Sequence, residues 1–257
     1  MLNKKFFILA SVFFGANAHA GAGGGPINYF AALAGFVGLD VEFSPLFASA
    51  FVLCLLFSLG AFYSREVRRV VEKGDVAPQP RFSLFVALDS VMEFLFSFVK
   101  EQLGRGYQRY LPLLCGLFLF ILCSNLTGLI PGFPPATESF GVNLVLGLVV
   151  FARYHAAGVA EHGFSYVKQF TGPFLSLAPL FVVIELISHA ARPASLAFRL
   201  TANIFADHLI VGVFSGIIPL VFPSMLMFFG LLVACVQSFV FTMLTCIYIS
   251  MAVSHDH

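Results

Sequence analysis

The sequence predicts an all-α polytopic membrane protein with five transmembrane helices and one amphipathic helix on the cytoplasmic side. Of its 257 residues, 59% are hydrophobic and 11% are charged, whereas soluble domains carry about 25% charged residues. The mean hydropathy of the chain is +0.94, and several apolar runs reach the roughly 20 residues that a helix needs to cross a bilayer. The net charge of +1 gives no indication of nucleic-acid binding, so the partners expected from composition are membrane lipids.

Residues 1–20 have the composition of a signal peptide. Two lysines supply a basic start, residues 6–16 form an apolar core too short to span, and residues 18–20 fit the small-x-small cleavage rule. An uncleaved and partly buried N-terminal segment is the alternative. In either case residues 21–44 are expected to be exported, with a weakly amphipathic stretch over residues 27–43.

The membrane domain is expected over residues 45–252, which contain five apolar runs. The predicted spans are residues 45–64, 109–130, 141–160, 174–214 and 217–251. The last two are longer than one bilayer crossing requires, so each is either one long tilted helix or a broken hairpin. Positions where these helices end or bend are marked by Pro179, Pro193, Pro219 and Pro223.

The placement of lysine and arginine decides the expected orientation, because most of them lie between the first two spans. The basic residues there are Arg65, Arg68, Arg69, Lys73, Arg81, Lys100, Arg105 and Arg109. The segments 21–45, 131–141 and 215–224 contain none. By the positive-inside rule, residues 64–109 are cytoplasmic and the mature N-terminus is outside. Five crossings then place the tail, residues 253–257, in the cytoplasm, provided that each long run crosses once.

Residues 83–103 are predicted to form an amphipathic helix. A narrow polar stripe with a spacing of three to four residues interrupts an otherwise apolar surface, so the helix would lie in the interface or pack against other membrane helices. A sixth span is the weaker alternative because of the charges in the stripe. The stripe is formed by Asp89, Glu93, Ser97, Lys100 and Glu101.

Arg199 lies in the middle of the fourth run, where its charge is costly. The guanidinium group cannot lose its proton, and a fixed charge at bilayer depth costs at least ~2.5 kcal/mol. With about 100° per residue, Glu185, Ser188, Arg192 and Asn203 share its helix face. A charge at this depth normally faces a protein interior or a watery cavity, which makes Arg199 a functional candidate.

Titratable side chains flank Arg199 on both sides along the helix axis. Glu185 lies about 21 Å toward the cytoplasmic end, and Asp207 and His208 lie about 12–14 Å toward the outer end. Asp207 borders the shared face, whereas His208 points away from it in an ideal helix. The other spans contain no charge at mid-depth, so the partner of Arg199 is expected on another subunit. An interhelical salt bridge, with Glu185 and Arg192 as interfacial anchors, is the alternative.

The last span contributes Gln237, its only amide, together with Tyr248 and several hydroxyl side chains. A buried glutamine is expected to find a partner across a helix pair, whereas serine and threonine hydroxyls are expected to bond to their own helix backbone. No histidine or cysteine spacing predicts a metal site, and the chain contains no P-loop. We therefore expect no cofactor and no bond chemistry by the chain itself.

Several sequence blocks carry a family resemblance. Residues 199–203 are Arg-Leu-Thr-Ala-Asn, residues 206–209 are Ala-Asp-His-Leu, and Gln237 opens a run beginning Gln-Ser-Phe-Val-Phe-Thr. Upstream, residues 123–131 are Cys-Ser-Asn-Leu-Thr-Gly-Leu-Ile-Pro, and Glu93 lies in the amphipathic helix. In these blocks the chain resembles subunit a of the membrane (Fo) sector of F-type ATP synthase, in its bacterial form.

The resemblance covers residues 45–252 and implies a stator channel subunit of the bacterial cell inner membrane, which couples proton transport to ATP synthesis. The two long helices would lie tilted against a rotating ring of c subunits, each with a carboxyl group at mid-membrane depth. Two offset half-channels would load and unload these carboxylates. The b subunits of the peripheral stalk and the rest of ATP synthase are the other implied partners, and nucleotide hydrolysis would occur in them.

The resemblance also implies a role for each candidate side chain. Arg199 would attract the deprotonated ring carboxylate and prevent direct leakage of protons between the half-channels. Asn203 and Gln237 would orient Arg199 or line the channels, and Glu185 would belong to the cytoplasmic half-channel. The outer half-channel would contain Asp207 and His208, and the secondary candidates are Arg192, Ser188, Tyr248 and Glu93.

Gly230 departs from the family pattern. Many members carry His or Glu at this position, seven residues before the glutamine, where the side chain supports the outer channel; a glycine cannot relay a proton. Asp207 in turn occupies a position where many members have a small residue. We therefore hypothesise that Asp207, with His208, supplies the group that is missing at Gly230.

Two other classes of function are open on the sequence alone. A small secondary transporter could use Arg199 to bind an anionic substrate, although such folds predict broken helix pairs and repeat symmetry that the sequence lacks. A scaffold subunit of a respiratory complex would tolerate the loss of Arg199.

Overall fold

The computed structural model describes residues 28–38, 40–73, 84–104, 106–130, 132–163, 178–215 and 221–253. Within these ranges the helices are α1 (Tyr29–Val37), α2 (Ser44–Lys73), α3 (Leu84–Leu103), α4 (Leu111–Thr127), α5 (Phe140–His162), α6 (Ala178–Ser215) and α7 (Val221–Val253). Short 3₁₀ turns occur at Val41–Phe43, Tyr107–Arg109 and Ala136–Glu138. The predicted signal peptide lies outside the described residues.

The all-α membrane architecture predicted from the sequence is confirmed. Among the described residues, α2, α5, α6 and α7 are long and apolar enough to cross a membrane, and α4 is a shorter apolar helix. The amphipathic helix is present as α3, which packs against α4 and α7 and is not among the helices that qualify as spans in the described part of the chain.

The first span is longer than predicted, because α2 continues through the basic residues assigned to a loop and ends at Lys73. No glycine or proline interrupts the sequence between Gly60 and Gly74, and arginine, glutamate and lysine are good helix formers. Glu66 and Arg69 pair on the surface of the added turns at 3.0 Å. The basic residues therefore extend a rigid helix out of the apolar run.

The second span is shorter than predicted, because after Thr127 the chain turns into a buried, hydrogen-bonded loop. In this loop Thr137 donates its hydroxyl to Asn125 Oδ1 at 2.7 Å and its backbone N–H to Ser124 Oγ at 3.1 Å. Asn143 Nδ2 of α5 donates to the Thr137 carbonyl at 2.6 Å. Irregular backbone at membrane depth requires such partners inside the protein.

Both long runs are single helices, so the broken-hairpin alternative is wrong. α6 has 38 residues and α7 has 33, which gives lengths of about 57 and 50 Å. Pro193 lies inside α6 without ending it. Its carbonyl oxygen lies beside Gly147 of α5, where an added Cβ would be 2.7 Å away, so the two helices touch backbone to backbone.

The apolar core lies among α4, α5, α6 and α7, which pack against one another. Its fully buried side chains include Leu114, Ile121, Val150, Tyr154, Leu196, Leu200, Phe241 and Ile249. α1 packs on α2 at the N-terminal side of this bundle. Because the core contacts only one side of α6 and α7, each of these helices keeps an exposed apolar face, with Phe205 and Phe228 both 65% exposed.

Candidate functional site

Arg199 lies near the middle of α6, on its exposed face. The buried residues of α6 point to the other side, where Leu196, Leu200 and Ile204 enter the core. The Arg199 side chain is exposed, and among the described residues it makes no hydrogen bond or ion pair. The charge is therefore directed out of the subunit.

The surface beside Arg199 is lined by small side chains. Together with Arg199 they recur every three to four residues along α6, and all are exposed: Ser188, Ala191, Ser195, Ala202 and Ala206. Small residues let the backbone of a second helix approach closely within a membrane. We call these five residues and Arg199 the small-residue stripe.

Asn203 and Gln237 connect α6 to α7 one turn beyond Arg199. Asn203 Nδ2 donates to Gln237 Oε1 at 2.7 Å, which confirms the prediction that the glutamine finds a partner across a helix pair. Gln237 is 5% exposed, and its Nε2 atom has no hydrogen-bond partner among the described residues. An unpaired buried donor costs about 1–3 kcal/mol, so this amide can gain from an acceptor that water or another subunit supplies.

Glu185 belongs to a cluster toward the other end of α6. Glu185 Oε1 lies 3.0 Å from His189 Nε2, and His189 Nδ1 lies 2.7 Å from the Tyr154 hydroxyl of α5. The His155 ring lies 5.0 Å from the His189 ring. We call these residues, together with Arg192, the inner cluster.

Arg192 covers the inner cluster and connects it to α7. Its guanidinium carbon lies 5.6 Å from the Tyr154 ring centroid and 5.3 Å from that of Tyr248. Both distances fall within the range of cation–π attraction. The positive charge of Arg192 is thus held at the junction of three helices, whereas that of Arg199 is exposed.

Asp207 lies two turns beyond Arg199 and is half-buried. Because a connection of five residues joins α6 to α7, the two helices run antiparallel. Measured from the Asn203–Gln237 contact, Asp207 lies about 6 Å and Gly230 about 10 Å toward the same end, less than one helical turn apart. A Cβ added at Gly230 would be 3.1 Å from Leu129 Cδ2.

The remaining predicted residues are less closely integrated. Ser188 and Glu93 are exposed, and the side chain of His208 lies outside the described set. On α7, the hydroxyls of Ser238, Thr242 and Thr245 donate to backbone carbonyls of their own helix, as predicted. No group of three or more metal-ligating side chains occurs within the described residues.

His189 and Tyr154 were missed by the sequence analysis. They are 35 positions apart and on different helices, so no local pattern connects them. The available signal was the spacing of His189 from Glu185, because residues four apart are neighbours on a helix surface. That spacing places the histidine directly beside a candidate channel carboxylate.

Comparisons with known proteins agree with the architecture and the motifs. The family model described as ATP synthase A chain matches residues 46–250. The chain is 45% identical over 170 residues to ATP synthase subunit a 1 of Syntrophotalea carbinolica, covering 66% of this chain and 73% of that protein.

Two further relatives cover more of the chain. ATP synthase subunit a of Bdellovibrio bacteriovorus is 38% identical over 193 residues, which is 74% of this chain and 84% of the relative. ATP synthase subunit a of Sorangium cellulosum is 35% identical over 215 residues, or 83% of this chain and 84% of the relative. The chain therefore belongs to the ATP synthase A chain family.

Proposed function

We propose that Arg199 is the fixed cation past which the carboxyl groups of a rotating ring move between two half-channels. As a family member, the chain is the proton-channel stator subunit of ATP synthase and a multi-pass membrane protein. The observation that carries the proposal for Arg199 is its exposure on the small-residue stripe, without an ion-pair partner among the described residues. Another subunit would supply that partner.

Elementary electrostatics explains what such a cation does to a mobile carboxyl group. An opposite charge within a few ångströms favours the ionised form, so a ring carboxyl that reaches Arg199 releases its proton. The resulting carboxylate cannot move into lipid at low cost until it is protonated again. Protons must then enter and leave by different routes, and the ring turns instead of leaking.

The two half-channels would lie on either side of Arg199 along α6. The inner cluster around Glu185 would belong to the cytoplasmic half-channel, and Asp207 with His208 to the outer one. The Asn203–Gln237 bond lies between them, close to Arg199, where it supports a role in orienting the guanidinium group. Ser188, Arg192, Tyr248 and Glu93 are secondary candidates in the same scheme.

The partners would be the ring of c subunits on the small-residue stripe and the b subunits of the peripheral stalk, with nucleotide chemistry confined to other subunits. We place the chain in the bacterial cell inner membrane, with residues 1–20 as a signal peptide and residues 21–44 in the periplasm. The membrane channel domain would cover residues 45–252, and the tail, residues 253–257, would be cytoplasmic. The basic end of α2 supports this orientation.

The test is ATP-driven acidification of membrane vesicles that carry the complex with Arg199→Ala or Arg199→Lys. We expect both variants to assemble and neither to pump, because lysine keeps a charge but lacks the planar fork and can lose its proton when buried. Arg68→Ala, which removes an exposed arginine at the end of α2, is the matched control and should pump normally. Normal pumping by Arg199→Ala would refute the proposal.

The anion-transporter alternative has no support among the relatives. The vesicle assay also separates the two functions. A transporter that binds its substrate at Arg199 would move that substrate without ATP hydrolysis, whereas acidification by the proposed channel subunit requires ATP.

A further inference from the structure

His189 uses both ring nitrogens to connect two helices. Its Nε2 lies 3.0 Å from Glu185 Oε1, one turn earlier on α6, and its Nδ1 lies 2.7 Å from the hydroxyl of Tyr154 on α5. The three side chains form a continuous line of hydrogen bonds. None of the functional roles assigned above to Glu185 requires the histidine or the tyrosine.

The chemistry of the three groups sets the direction of the hydrogen bonds. An ionised carboxylate can only accept, so His189 Nε2 carries the hydrogen that is shared with Glu185. In a neutral imidazole Nδ1 is then the acceptor, and the Tyr154 hydroxyl donates to it. All donors therefore point the same way, from the tyrosine through the imidazole to the carboxylate, which is the arrangement that a proton relay requires.

Burial changes along this line. Tyr154 is 1% exposed and His189 is 8% exposed, whereas the side chain of Glu185 is 37% exposed. The Tyr154 end of the line is therefore shielded from water inside the helix bundle, and the Glu185 end reaches the surface. A carboxylate at the surface can exchange protons with water, but the buried tyrosine can do so only through its neighbours.

We propose that His189 relays protons between Tyr154 and Glu185 in the cytoplasmic half-channel. The Tyr154 hydroxyl proton passes to His189 Nδ1, while the Nε2 proton passes to the Glu185 carboxylate. A proton handed on by the half-buried His155, whose ring lies 4.3 Å from the Tyr154 ring, restores the phenol. Glu185 then releases its proton to water, and reorientation of the imidazole ring again presents an N–H to Glu185 and a bare nitrogen to Tyr154. Transfer in the opposite direction reverses each step. The inference rests on the channel function proposed above.

The surrounding charges suit this role. Arg192, from α6, lies 5.6 Å from the Tyr154 ring, so its positive charge stabilises the phenolate oxygen between the two proton movements. The His155 ring of α5 lies 5.0 Å from the His189 ring. The Tyr248 ring of α7 lies 6.3 Å from the Tyr154 ring and 5.3 Å from the Arg192 guanidinium carbon. With Arg192 fixed beside it, an added proton on His189 is repelled and moves on to Glu185.

A purely structural role is the competing explanation, because the same bonds clamp α5 to α6. His189→Gln separates the two, since its amide can accept from Tyr154 and donate to Glu185 but cannot take up and release a proton. Tyr154→Phe keeps the ring beneath Arg192 and removes only the hydroxyl. We expect both complexes to assemble and ATP-driven acidification of vesicles to slow by about tenfold to hundredfold, at the low end for a positioned proton-transfer group.

The matched control is His162→Gln, at the last residue of α5, which should pump at the wild-type rate. Chemical rescue supplies the decisive readout: in His189→Ala, added imidazole should restore pumping, whereas pyrazole, of the same size but much less basic, should not. Wild-type pumping by His189→Gln, or equal effects of imidazole and pyrazole on His189→Ala, would overturn the relay. The Arg199→Ala complex, measured in parallel, reports separately on the channel function itself.

Discussion

At the scale of single residues, the exposure of Arg199 contrasts with the enclosure of the second arginine of α6. Arg192 lies over two tyrosine rings from neighbouring helices, which compensates its charge within the chain. Arg199 makes no hydrogen bond or ion pair among the described residues and lies on the small-residue stripe. The two side chains share a helix face in sequence, but only Arg199 is free to meet a group that another subunit brings.

Asp207 provides a test at the same scale, because it lies within one helical turn of the glycine at position 230 along the α6–α7 pair. We expect Asp207→Gly to slow ATP-driven acidification by roughly tenfold, less than a positioned acid–base group usually contributes, because His208 remains. Adding Gly230→Glu should restore pumping, since among the described residues the new Cβ meets only the flexible end of Leu129. Normal pumping by Asp207→Gly alone would end the hypothesis.

The control for this rescue is Gly230→Leu in the same Asp207→Gly background. Leucine fills a similar volume but offers no proton-carrying group, so it should leave pumping slow. Equal rescue by leucine would indicate a packing effect and would remove Asp207 from the outer half-channel.

At the scale of helices, the close contact between α5 and α6 sets the register on which the inner cluster depends. Gly147 lies against the Pro193 carbonyl, and Asn143 Nδ2 donates to Thr201 Oγ1 at 2.8 Å. The first contact lies between Arg199 and the inner cluster, and the second lies beside Arg199. The helices can approach this closely because glycine has no side chain at the crossing point.

Gly147→Ala tests this contact. The added methyl group would lie 2.7 Å from a backbone oxygen that cannot move easily, so we expect a loss of about 1–3 kcal/mol of stability, typical of overpacking. Thermal denaturation of the purified complex would measure the loss. Gly116→Ala on α4, where an added Cβ meets no described atom within 4 Å, should leave the midpoint unchanged or raise it, because alanine favours the helix.

At the scale of the whole molecule, orientation in the membrane decides which half-channel opens to which side. The basic end of α2 and the turn at Ala136–Glu138 belong to opposite ends of the bundle, because α2 and α4 each cross it once. The positive-inside rule places the α2 end in the cytoplasm. The cytoplasmic assignment of Glu185 and the outer assignment of Asp207 both depend on this orientation.

Single cysteines at Glu72 and Glu138 would measure the orientation, in a background where the natural cysteines are replaced. Both positions are exposed, so a membrane-impermeant maleimide should reach each from one side. We expect Glu138→Cys to react in intact cells and Glu72→Cys to react only in inverted vesicles. The opposite pattern would exchange the two half-channels without changing the fold.

Whether a prediction from the sequence was correct depended on how far apart along the chain the interacting residues lie. The all-α membrane class, the amphipathic helix and the existence of a partner for Gln237 across a helix pair were predicted correctly, because apolar length and the cost of an unpaired amide act along or next to one helix. The length of the first span was wrong, since the basic residues that signal a membrane boundary also extend a helix. The place of His208 in the outer half-channel stays a prediction.

The sequence by itself determined that this chain lies in a membrane and that Arg199 is its most costly residue, because composition and periodicity are enough to fix both. Tertiary structure decided that Arg199 points away from the bundle, and that His189 meets Tyr154 35 positions away. These contacts depend on the register between helices, which close approaches such as that of Gly147 to Pro193 set. Register is a property of packed pairs of helices, and no single segment of the chain contains it.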